Sequence, residues 1–104
     1  MVMRINLKAN EVVIKATDTL HTSDSDQTKG KLIMTNQRIY FKTLQHHDDH
    51  KSFEILPGEI RDILFYNVMR IIPRGLELIT SDGRRFRFAM KKRKEWCRQI
   101  ALMG

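Results

Sequence analysis

The chain is poor in the residues that several kinds of chemistry require. It has one cysteine, Cys97, among 104 residues. A single thiol closes no disulfide within the chain and supplies no zinc-ligand spacing, which fits a reducing, cytoplasmic compartment. There are five glycines and two prolines, and no glycine-rich loop of the kind that cradles phosphates. No nucleophilic triad or motif of paired catalytic carboxylates is visible, so a non-catalytic protein without a cofactor is expected. No window, including the N-terminal "MVMRINLKANEVVIKA", approaches the ~20 apolar residues that span a bilayer. The chain reads as soluble and non-secreted. At this length it reads as one domain over residues 1–104, with no repeat, linker or low-complexity tract.

What is present is a folded composition with a basic excess. Hydrophobic residues make up 41% of the chain, enough to argue against disorder. Nineteen Lys and Arg face twelve Asp and Glu, a net of +7. Residues 1–50 hold 7 basic and 6 acidic residues, a net of +1; residues 51–104 hold 12 and 6, a net of +6. A field of that sign favours anionic partners, or simply keeps a solvated surface soluble.

Most segments carry the period of two that marks strands. "EVVIKATDTL" (Glu11–Leu20) is β-branched and apolar. The polar run His21–Lys29 reads as a loop. In "GKLIMTNQRIYFKT" (Gly30–Thr43), Leu32 with Met34 and Ile39 with Phe41 mark the inward faces of two strands around a turn at Asn36-Gln37. A loop at Gln45–Lys51 precedes the short strand "SFEIL", which Pro57-Gly58 stops. "EIRDILFYNV" is strand-like if a bulge near Arg61-Asp62 repairs its alternation. A turn is expected at Pro73-Arg74-Gly75, and a hairpin at Ser81-Asp82-Gly83, with Phe86, Phe88 and Met90 on one face and Arg85 and Arg87 on the other. The period then changes: Trp96, Ile100 and Met103 fall on one face of a C-terminal helix.

The pieces, in this order from about Leu7 to Leu102, resemble a GRAM domain of the pleckstrin-homology (PH) superfold, most specifically in the Gly-x-Leu-x-Met-Thr-Asn-x-Arg-Ile-x-Phe run of Gly30–Phe41. The resemblance implies a mainly β fold: a PH-like barrel of about seven antiparallel strands in two near-orthogonal sheets, one end plugged by the helix. It also implies a binding module for membrane lipids or proteins, peripheral at the inner face of a membrane in the lipid case. Lipid-binding PH domains carry several Lys and Arg between the first two strands. Here that loop holds Asp24 and Asp26, with Lys29 at its exit, and carboxylates oppose a phosphorylated headgroup.

The candidate anion-binding residues are Arg84, Arg85, Arg87, Lys91, Lys92 and Arg93, with Lys31, Arg38 and Lys42 as a secondary patch. Strand geometry sets Arg85 and Arg87 about 7 Å apart on one face, a spacing that suits neighbouring phosphates or carboxylates. The same face must be polar in any half-buried strand. Lys91–Lys94 sits poorly at a helix N-terminus, whose dipole end is positive, unless the helix starts later, near Lys94. The expected partner is an acidic protein segment or an anionic lipid surface; peptide or subunit binding at an exposed strand edge, or weak non-specific nucleic-acid binding, are the alternatives. Nucleic acid is disfavoured because Trp96, Phe86 and Phe88 read as core and only Tyr40 and Tyr66 remain for stacking. His46–His50 ("HHDDH") holds competent metal ligands, but five consecutive loop residues converge poorly on one ion, so no metal site is expected. Cys97 reads as structural.

Overall fold

A computed structural model describes residues 7–23, 26–44 and 51–103. Seven strands and one helix make it up: β1 (Val13–Ser23), β2 (Asp26–Thr35), β3 (Ile39–Thr43), β4 (Phe53–Ile55), β5 (Ile60–Val68), β6 (Ile72–Thr80), β7 (Arg85–Ala89) and α1 (Arg93–Met103). Every paired neighbour is antiparallel. Where two sheets were expected, hydrogen bonding runs unbroken through one seven-stranded sheet in the order β4-β3-β2-β1-β7-β6-β5. The β1–β7 junction that unites its halves is short: Leu20, His21 and Thr22 pair with Ala89, Phe88 and Arg87.

The alternation read from the sequence places the core. Leu32, Met34, Ile39, Phe41, Leu76, Leu78, Phe88, Met90, Trp96 and Ile100 are buried in one cluster, with Phe53, Ile63, Phe86 and Met103 packed against it. Gly30 is required sterically, since a Cβ there would lie 2.5 Å from the Lys42 carbonyl oxygen and 2.7 Å from the Phe41 ring. The expected bulge in β5 appears as a register shift between Ile60 and Asp62, and Gly83 takes φ of 89° in the Asp82-Gly83 turn.

Two local expectations are corrected. The polar run His21–Lys29 is mostly strand: Leu20, His21, Thr22 and Ser23 pair in register with Lys29, Thr28, Gln27 and Asp26. The segment lacks apolar alternation, and its order comes from pairing with β7 and from rings distant in sequence. The second turn is not at Pro73-Arg74-Gly75. β6 already begins at Ile72, and the chain reverses around Met69 and Arg70, whose φ values are 52° and 69°. Pro73 is tolerated because the β5–β6 register shifts beside it, between Tyr66 and Val68, leaving a position that lacks a ladder donor.

His21 points inward among Phe41, Phe53 and Phe88, with ring centroids 4.9–5.3 Å away. Burial holds its imidazole below the ordinary value of 6.5. The unfolded chain therefore takes up this proton first as pH falls, and the stability due to neutral His21 is full above 6.5 and declines below it. Chemical denaturation of wild type should show stability declining as pH falls below 6.5, and His21→Leu should flatten that slope. An unchanged slope in the variant would assign the effect elsewhere.

Candidate anion-binding site

The residues of the "TNQR" turn are structural staples. Thr35 Oγ1 accepts from the backbone N–H groups of Gln37 (3.1 Å) and Arg38 (3.0 Å). Asn36 accepts from Val12 N–H at 2.8 Å and donates to the Asn10 carbonyl at 3.0 Å, and Gln37 Nε2 donates to the Ala9 carbonyl at 2.9 Å. The turn thereby ties residues 9–12 to the sheet. Arg38, placed in the secondary surface patch by sequence, is instead buried, with 7% of its surface exposed. Its Nε and Nη2 donate to the Glu11 carboxylate at 2.9 and 3.1 Å, and its Nη1 to Glu54 at 2.8 Å. Arg38 is therefore removed from the patch: its strand-start position points it across the sheet at Glu11, 27 residues away, a partner invisible to local patterning.

Other predicted cations are also engaged. Arg85 Nη1 and Arg87 Nε reach the two oxygens of Glu77 at 3.3 and 2.6 Å. Glu77 is buried, so two guanidiniums against one carboxylate leave one net positive charge. Sequence reasoning missed Glu77, although the Asp82-Gly83 hairpin register, which sets Glu77 opposite Arg87, could have found it. Arg84 is bound by Glu59 at 2.7 Å and Asp82 at 2.9 Å, and the Thr80 hydroxyl, followed by the Arg84 guanidinium, holds the Asp82 carboxyl below its usual range. Lys31 lies 3.6 Å from Asp18, and Lys42, its cross-strand neighbour on β3, is likewise engaged.

Arg93 has a positioning role. Its Nη1 donates to the carbonyls of Tyr66 (2.8 Å) and Gly75 (3.1 Å), and its guanidinium lies 4.6 Å from the Phe65 ring centroid. Gly75 is needed there because any Cβ would meet the Tyr66 ring at 2.5 Å. With Lys92 in the left-handed region at φ 59°, the helix begins at Arg93, and the start of α1 is fastened to the β5–β6 hairpin.

Several cations without a carboxylate partner gather in one region of the molecule. Before Leu20 on β1 and after Ala89 on β7 the two strands part and leave a cleft of about 470 Å³, lined by Asp18, Lys29, Gly30, Arg74, Met90 and Lys91 among others. A smaller hollow beside it is lined by Pro73, Lys92, Arg93, Lys94 and Glu95. The Met90 N–H bonds the Arg74 carbonyl at 2.9 Å in the wall of the cleft, and Pro73 and Lys92 of the smaller hollow adjoin Arg74 and Lys91 in sequence. Among the described residues, Lys29, Arg74, Lys91, Lys92 and Lys94 have no carboxylate within ion-pair distance. Of the six primary sequence candidates, Lys91, Lys92 and Arg93 thus meet at this rim, while Arg84, Arg85 and Arg87 lie along the β6–β7 hairpin. Lys29 and Arg74 join only through the fold, for they are 45 residues apart.

Cys97 packs half-buried against the core. Tyr40 and Tyr66 are partly covered by guanidiniums, Arg38 at 5.1 Å and Arg87 at 5.0 Å from the ring centroids. Among the described residues no helix is long and apolar enough to cross a membrane. The His46–His50 cluster and Asp24 lie outside the described residues.

No protein-family model matches the chain, and no curated protein matches it in sequence. Solved structures do match. The C-terminal domain of an unknown protein from Leishmania infantum is 17% identical, with a TM-score of 0.78 over 91% of this chain and 85% of that one. The Vps36 N-terminal PH domain is 13% identical, with a TM-score of 0.63 over 84% of this chain and 72% of that one. At these identities the likeness concerns the fold: a curled seven-stranded antiparallel sheet with a C-terminal helix, of the PH-like class.

Proposed function

We propose that the chain is a non-catalytic, GRAM/PH-like binding module that engages an anionic partner, an acidic protein segment or an anionic membrane surface, through the rim of the β1–β7 cleft. The PH-like fold agrees with such a role without specifying a ligand, because fold alone does not fix function. The observation that carries the reading is the gathering of Lys29, Arg74, Lys91, Lys92 and Lys94 around two adjoining hollows, without carboxylate partners among the described residues. Unpaired cations beside a concave surface focus the field and draw in anions. Arg84, Arg85 and Arg87 make a second, weaker contact zone, since Glu59, Asp82 and Glu77 offset much of their charge.

The strand-edge alternative has less support. β5 is the long edge of the sheet, but register shifts occur near both of its ends, and irregularities of this kind blunt an edge against added strands.

Binding of a labelled oligoglutamate peptide, followed by fluorescence anisotropy at low and high salt, tests the reading. Affinity should fall with salt. Taking about 1 kcal/mol or less per surface cation, the combined reversal Lys29→Glu/Arg74→Glu/Lys91→Glu should weaken it by about tenfold or more. Arg85→Gln should have little effect, because Arg87 still holds Glu77. Binding that ignores salt or survives the triple reversal would remove the rim from the function.

A further inference from the structure

The β5–β6 hairpin ends in side chains that a water-exposed turn does not need. Met69 and Ile71 are each 80% exposed, and Ile72 is 38% exposed. The Ile71 N–H bonds the Val68 carbonyl at 3.3 Å, closing a four-residue turn whose central residues, Met69 and Arg70, both have positive φ. That is the geometry of a type I′ turn, which strongly prefers Asn-Gly. Bulky L-residues in the left-handed region are strained, and such strain persists where another requirement holds it in place. Met69 thus works against both solvation and backbone preference, and Ile71 against solvation.

Three residues along β6 from Ile71 stands Arg74, about 10 Å back at strand spacing. Lys92 and Lys94 line the same hollow as Pro73, and Lys91 the same cleft as Arg74. An apolar tip therefore projects beyond a collar of cations, and Arg70 sits at the tip between its two apolar neighbours.

We infer that the Met69–Ile72 tip inserts into the headgroup–acyl boundary of an anionic bilayer while Arg74, Lys91, Lys92 and Lys94 rest on the headgroups. The inference rests on the anion-binding reading of the rim and assigns it the bilayer as partner. A bilayer presents anionic charge and an apolar layer in series, with interfacial elements buried about 5–10 Å, which matches the offset between tip and collar. An acidic peptide answers the collar but leaves Met69 and Ile71 in water. A second copy of the chain would bring two such collars together on proteins of net charge +7.

Co-sedimentation with phosphatidylcholine vesicles, with and without phosphatidylserine, tests the assignment. Wild type should bind the acidic vesicles in a salt-sensitive way. Met69→Asn/Arg70→Gly installs the residues a type I′ turn prefers, so it should keep or raise the thermal midpoint; combined with Ile71→Ser it should lower binding to acidic vesicles by about tenfold or more, with the oligoglutamate affinity reduced far less. In a separate variant, Ile71→Trp should give a blue-shifted emission on acidic vesicles that brominated lipid quenches, against the constant signal of buried Trp96. Several outcomes overturn the inference while leaving the anion-binding reading intact: peptide binding without vesicle binding, vesicle binding untouched by the tip variant, or a tip-dependent dimer in sedimentation with no vesicle binding. Loss of both peptide and vesicle binding in wild type would overturn both.

Discussion

Replacing Arg38 with methionine is expected to cost about 3–5 kcal/mol of folding stability, because it strands the Glu11 carboxylate in the interior. The Glu11 side chain is fully covered and that of Arg38 is 8% exposed. Besides Arg38, Glu11 has the Thr35 hydroxyl at 2.6 Å and the Lys8 N–H at 2.9 Å, neither of which neutralises its charge. Domains of this size hold about 5–15 kcal/mol in all, so the variant should lose a large share of its stability in equilibrium denaturation. The double variant Glu11→Leu/Arg38→Met should recover most of the loss, since the cost comes from an unpaired buried charge rather than from the absence of an ion pair. If the double variant is no better than Arg38→Met, the pair contributes by shape and not by charge.

The same pair sets an acid limit. The Arg38 guanidinium lowers the Glu11 carboxyl from 4.5 to about 2 against the opposing effect of burial. With the folded value depressed, the stability due to ionised Glu11 is full above 4.5 and is lost progressively as pH falls from there through about 2. This loss begins below the one due to His21, so acid unfolding should have two separable contributions, with His21→Leu removing only the upper one.

Trp96→Ala is expected to cost about 3–5 kcal/mol by leaving a cavity where the largest core side chain stood. Trp96 has no solvent exposure and shares the core with Leu32, Phe88 and Ile100. The effect should reach the rim as well. An 11-residue helix is marginal by itself and depends on its packed face; once Trp96 is truncated, that face keeps Ile100 with partly buried Cys97 and Met103, and the Arg93 bonds to Tyr66 and Gly75 lose much of their support. Urea denaturation followed by far-UV circular dichroism should show the stability loss, and oligoglutamate binding should weaken even where the sheet remains folded. Trp96→Phe should retain most of both. A folded Trp96→Ala protein with unchanged peptide affinity would show that the rim does not depend on the docked helix.

Elements whose signal is local were legible in the sequence. The apolar alternation of Leu32, Met34, Ile39 and Phe41 fixed their inward faces, and all four are buried. The Trp96–Ile100 spacing gave the helix and its packed side, and Asp82-Gly83 gave its hairpin, because turn chemistry and side-chain period act within a few residues. The type I′ turn at Met69-Arg70 was missed for the same reason: nothing in those residue types announces it, and Pro73-Gly75 offered a stronger but false turn signal.

What only the tertiary structure decided is which charges are spent on the protein itself. By sequence, Arg38, Arg85 and Lys91 are all candidate anion-binding cations, Arg38 in the secondary patch. The fold buries Arg38 against Glu11, binds Arg85 to Glu77, and leaves Lys91 beside Lys29 and Arg74 at an open cleft. Composition set the sign of the surface field, but Coulomb interaction depends on separation and burial, and those follow from strand register and the β1–β7 junction, which join residues tens of positions apart.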